Sequence, residues 1–139
     1  MPGNALPAVG EQIDFTPGIR TFSGNQHQRV LDWVASYLDN LTAKASGGQS
    51  GATLLAAAIN NVTTVASAND SVMLPVARPG LVVYVSNSAA TNSMQVFGNS
   101  ADSATINGTA GSTGVAQAAG KSAVYFCVSP TKWFRDLSA

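Results

Sequence analysis

Between residues 62 and 137 the chain is written in short apolar, alternating runs separated by turns built from Asn, Gly, Ser, Ala and Pro. Residues 72–74, 81–85, 94–97, 115–117, 123–128 and 132–135 each read as one strand, in which successive side chains go to opposite faces. Turn chemistry recurs about every eight to twelve residues, the spacing of an all-β fold. The runs predict a mainly β protein, with residues 61–139 forming an antiparallel β-sandwich or a barrel-like domain.

The front of the chain is written differently. Residues 1–22 carry Pro2, Pro7 and Pro17 with Gly3, Gly10 and Gly18, a density that forbids a helix and discourages a central strand. An extended N-terminal arm is expected there, with Ile13, Phe15, Ile19 and Phe22 as apolar anchors that lie on their own domain or grip a neighbouring subunit or shell. Over residues 23–46 the period changes. Ser23 and Gln26 have capping-box form, Val30, Val34, Tyr37 and Leu41 recur at helical spacing, and Leu31, Leu38 and Ala45 make a second stripe. This predicts one α-helix, stopped at Ser46, Gly47 and Gly48, either packed within the chain or clustered about an oligomer axis. Residues 47–60 read as a linker or as the start of the β-domain.

Composition turns this outline toward contact rather than chemistry. Charged residues make up 10% of the chain, against ~25% in ordinary soluble domains, and the formal net charge is zero. So neutral a surface predicts that much of it faces other protein in an assembly. No basic stripe offers itself to phosphates, so direct nucleic-acid binding is not expected. No apolar run reaches the ~18 residues of a membrane span, and the first residues lack the form of a signal peptide; neither a membrane nor secretion is expected. Cys127 is the one cysteine and reads as a small core hydrophobe within its strand.

Each apparent catalytic feature fails on spacing or context. Gly120, Lys121 and Ser122 resemble the end of a phosphate loop, but Gly114 stands one residue too far for that motif, and a strand follows where a helix is needed. The glycine-rich residues 107–114 read as a hairpin or surface loop. His27 is the only histidine, so no metal set can be assembled around it and Cys127, and Asp32 with Asp39 read as a solvated edge. The sequons at Asn40, Asn61, Asn69 and Asn107 acquire meaning only on secretion. No enzymatic activity, cofactor or metal is expected. Of the adjacent pairs Tyr125 and Phe126, and Trp133 and Phe134, one member should enter the core and the other face outward. Outward aromatics favour a subunit contact over a carbohydrate platform, which normally brings nearby carboxylates as well as amides, and here only the amides Asn and Gln are plentiful.

The ordered blocks ANDSVMLPVA (68–77), GLVVYVSN (80–87), MQVFG (94–98), ING (106–108), Gly114 with Val115, AGK (119–121) and KWF (132–134) resemble a β-module of tailed-bacteriophage virion structural proteins. The similarity to capsid decoration, or cement, proteins of short-tailed phages implies a homotrimer on the outer head surface that bridges subunits of the major capsid protein. It also implies assembly in the host cytoplasm and residence in the virion. A tail, fibre or neck component and a carbohydrate-binding module are the alternatives.

Overall fold

Inward members of the alternating runs do meet in one core, yet most of the front strands that carry them run parallel. The computed structural model describes residues 12–13, 22–23, 35–46 and 48–139, and the chain divides into two units, residues 1–36 and Tyr37–Ala139. In the first unit β1 (Gln12–Ile13) pairs antiparallel with β2 (Phe22–Ser23). The second holds β3 (Tyr37–Thr42), β4 (Thr53–Leu54), β5 (Ile59–Thr64), β6 (Ser71–Met73), β7 (Val82–Asn87) and β8 (Met94–Phe97). There follow β9 (Thr105–Ile106), β10 (Thr109–Ala110), β11 (Val115–Gln117), β12 (Lys121–Ser129) and β13 (Lys132–Leu137).

The order of strands in space gives the architecture. A larger sheet runs β10-β9-β13-β12-β7-β5-β3 and a smaller one β11-β8-β6-β4. From β3 to β8 the chain visits the two sheets by turns, and every like pair, β3 with β5, β5 with β7, β4 with β6 and β6 with β8, is parallel. That is the course of a short β-solenoid. Its far end is closed by reversals: β11 returns antiparallel along β8, β12 along β7, and β13 along β12. The tight β9–β10 link places Asn107 at φ 48° and Gly108 at φ 82°, the paired positive angles of a hairpin turn that suits Asn-Gly.

Two expectations need correction. The protein is mainly β, but it is a parallel coil with an antiparallel cap, in place of an antiparallel sandwich or barrel. The helix expected over residues 23–46 is a strand from Tyr37 to Thr42, and no helix occurs among the described residues. Tyr37, Leu38 and Leu41 satisfy helical spacing by coincidence; parallel pairing with β5 uses the same backbone donors, and Asn40 at φ 56° and Ser46 at φ 73° leave helical geometry altogether. Of the stretch read as a linker or the start of the β-domain, residues 48–60 contain β4 and the first residues of β5. Val30 and Val34, with His27 and Asp32, lie outside the described residues.

Burial explains why the coil holds. Leu55, Val62, Val72, Leu74, Val83, Val85, Met94, Val96, Ile106, Tyr125 and Trp133 are closed off from solvent, and Cys127 joins them as a buried thiol. Its sulfur donates to the Ser129 carbonyl at 3.1 Å, and burial pushes the thiol pKa up, away from the reactive thiolate. Buried amides pin the corners where the chain changes sheet. Asn60 Nδ2 donates to the Ala57 carbonyl at 2.7 Å, Asn99 Nδ2 to Leu74 at 3.0 Å, and Asn87 Nδ2 to Asn92 and Gln117 at 3.0 and 2.9 Å. Asparagines at strand ends and in the turn after β8 thus act as internal hydrogen-bond bridges, because a buried carbonyl without a donor costs ~1–3 kcal/mol.

Tyr125 gives this core a pH signature. Its hydroxyl is buried against Gln117, and burial raises its pKa from 10.0 to about 12, with Arg135 opposing the shift. A tyrosine whose folded pKa is raised keeps its full contribution below the unfolded value and loses it as pH climbs through the folded one. Urea unfolding between pH 9 and 12 is therefore expected to show the wild type losing about 2–3 kcal/mol more than Tyr125→Phe. Parallel pH curves for the two proteins would refute the assignment.

Candidate docking face and groove

The outer face of the larger sheet is built by register. Reading across the strands, Tyr37, Ile59, Tyr84, Val124 and Asp136 are successive partners and form one row. Two residues along the strands on one side lies an apolar row, Val82, Phe126 and Phe134, whose two phenyl rings stack with centroids 5.9 Å apart. On the other side lies a polar row, Asn61, Ser86 and Ser122, continued by Ser138. Alternation requires these positions to face away from the core, so the face grades from aromatic to hydroxyl in three steps.

The row ends in an exposed apolar margin at the first coil. Tyr37 is 73% exposed, Ile59 54% and Leu54, on the smaller sheet, 43%. Strands β3 and β4 are the terminal strands of their sheets, so their outer edges have no ladder partner among the described residues. The β3 edge is nevertheless unsuited to simple strand addition. Its register is broken between Leu38 and Leu41, Asn40 has left-handed geometry, and the Asp39 carboxylate accepts from Asn40 N at 2.7 Å and Asn61 Nδ2 at 2.8 Å. Whatever covers this end reads side chains more than backbone.

In the middle of the face the short Val124 side chain leaves a groove between Tyr84 and Asp136. It measures ≈ 480 Å³ and is also lined by Ser86, Ser122 and Ser138. Ser86 Oγ and Ser122 Oγ bond each other at 2.9 Å, and Ser138 Oγ accepts from Ser122 N at 3.0 Å. Among the described residues no three of His, Cys, Asp and Glu come together in a way that could hold a metal.

Sequence-predicted contact residues fare unevenly. The backbones of Ile13 and Phe22 are register partners in the β1–β2 pair, whereas Phe15 and Ile19 lie outside the described residues. Tyr37 is a surface residue of a strand and Leu41 is half-buried, so they do not share a helical stripe. The in–out assignment of the aromatic pairs holds: Tyr125 and Trp133 are buried while Phe126 and Phe134 are on the surface. Gly120 turns the chain into β12 at φ 74°, and no helix follows it. Sequence reading missed Leu54, Ile59 and the groove, because only the strand order places β12 between β7 and β13. No protein-family model, curated protein or solved structure matches this chain.

Proposed function

We propose that the protein decorates a phage head, bound on the outer capsid surface as a homotrimer that stabilises the shell by bridging subunits of the major capsid protein. The blocks between residues 68 and 134 that resemble virion modules supply the setting. The observation that carries the reading is the first coil, where Tyr37, Leu38, Leu54 and Ile59 are exposed and β3 and β4 have no ladder partner on their outer edges among the described residues. An apolar solenoid end of this kind is an association surface, since burying each large side chain contributes ~1.5–3 kcal/mol before the cost of association. Three such ends on one trimer multiply modest contacts through effective concentration, which is how a small protein can hold a lattice under pressure. The anchors Ile13, Phe15, Ile19 and Phe22 would add grip on the shell or a neighbour.

Two measurements test this together. Light scattering is expected to give three chain masses for the wild type and one for the Tyr37→Lys, Leu54→Lys double variant, with circular dichroism unchanged. Immunogold electron microscopy of intact source particles is expected to label the heads. A wild-type mass of one chain at high concentration would remove the homotrimer, and label confined to tail or neck would move the protein to a tail, fibre or neck role.

A further inference from the structure

We propose that the groove between Tyr84 and Asp136 binds a neutral pyranose unit of a glycan, independently of how the chain is anchored. Three features of the site converge on that ligand class. First, Tyr84 is 50% exposed beside the short Val124, so its ring borders the groove and offers a surface on which the C–H face of a sugar can lie. Second, the Asp136 carboxylate stands on the opposite wall, two strands away and therefore roughly 10 Å across at the backbone. No described side chain bonds it, so its oxygens remain able to accept from sugar hydroxyls. Third, the row Ser86, Ser122 and Ser138 supplies hydroxyl oxygens along the groove's long side.

The chemistry excludes simpler occupants. An apolar ligand would strip water from Asp136 and the serine row without replacing its hydrogen bonds. An anion would meet a carboxylate, and a divalent cation would find a single acidic ligand. A lysine or arginine side chain would suit Tyr84 and Asp136, but it carries donors on one slender tip and leaves the serine row unused. A pyranose has an apolar face and a rim of hydroxyls that both donate and accept, which matches a groove graded from aromatic to hydroxyl across its width. The ≈ 480 Å³ volume falls within the range of small-ligand sites, and the groove lies open to solvent on the outer face of the sheet.

The full chain should be screened on an array of glucose, galactose, mannose and N-acetylglucosamine oligosaccharides, with sialylated glycans and a lysine-rich peptide alongside. Hits are then titrated by NMR. At least one neutral oligosaccharide is expected to bind, with affinity falling about tenfold or more in Tyr84→Ala and in Asp136→Asn. Affinity should be kept in Tyr84→Phe and in Val128→Ser, a change at an exposed β12 residue outside the groove lining. Chemical shifts of each variant report whether it is folded, and Tyr84→Phe separates ring stacking from collapse of the site. Absence of any neutral hit, undiminished binding in Tyr84→Ala, or a preference for sialylated glycans or the peptide would each overturn the proposal. None of these outcomes bears on head binding, so the two readings fail separately.

Discussion

Gly111→Ala is expected to be among the most damaging single-methyl changes in this chain, destabilising the fold by about 3 kcal/mol or more. Gly111 lies where the β10–β11 connection crosses the end of β8, and Gly98 N donates to the Gly111 carbonyl at 3.0 Å. A Cβ on Gly111 would run into the Ala104 carbonyl oxygen and reach within 3.1 Å of the Gly98 Cα. Both obstacles are backbone, so no rotamer change relieves them. The strands must separate, and with them the cap that closes the solenoid. Gly120 is the matched control, because a Cβ there meets nothing within 4 Å and only its φ of 74° opposes substitution. Gly120→Ala should therefore lose about 1–2 kcal/mol. Urea midpoints of the two variants decide the matter: if Gly111→Ala is no worse than Gly120→Ala, backbone contact is not what requires glycine at this crossing.

That crossing also shows which parts of the fold the sequence made legible. Residues 72–74, 81–85, 94–97, 115–117, 123–128 and 132–135 were readable as strands because short apolar runs bounded by turn residues mark a strand with a buried face, and all six overlap β6, β7, β8, β11, β12 and β13. Pairing was not readable. A turn that reverses a hairpin and a turn that carries the chain to the other sheet use the same Asn, Gly and Ser residues, so local chemistry predicts both equally well. A regular repeat could have revealed the coil, but the register partners Tyr37, Ile59 and Tyr84 are separated by 22 (37 to 59) and 25 (59 to 84) residues. In the smaller sheet Thr53, Val72 and Val96 are separated by 19 (53 to 72) and 24 (72 to 96). Uneven corners erase the period on which repeat detection depends. The same ignorance of pairing hid the groove: Tyr84 and Asp136 are 52 residues apart (84 to 136), and they come to line one groove only because Val124 pairs with both.

Gln117→Ala is expected to cost about 3–4 kcal/mol, because this one buried side chain joins the small sheet to the large one. From β11 its Nε2 donates to the Val85 carbonyl on β7 and the Lys121 carbonyl on β12, both at 2.9 Å. Its Oε1 accepts from the Tyr125 hydroxyl at 2.9 Å, and its backbone carbonyl accepts from Asn87 Nδ2. Removing the amide takes a donor from two backbone carbonyls and the acceptor from the buried Tyr125 hydroxyl, and leaves a small void. Tyr125→Phe removes one of those groups in advance, so the double variant Gln117→Ala, Tyr125→Phe should lose less than the sum of the single losses, by about 1 kcal/mol. Strict additivity in a denaturation cycle would show that the hydroxyl and the amide do not depend on each other. Position matters as much as magnitude. Val85 follows Tyr84 on β7 and Tyr125 follows Val124 on β12, so Gln117 braces from below the two strands that carry one wall and the floor of the groove. A site whose parts stand on such strands keeps its spacing without ligand, whereas the same residues on loops would have to be ordered at each binding event. Gln117→Ala should accordingly weaken any ligand of the groove even under conditions where the protein remains folded, while Gly120→Ala, at the turn before β12, should not.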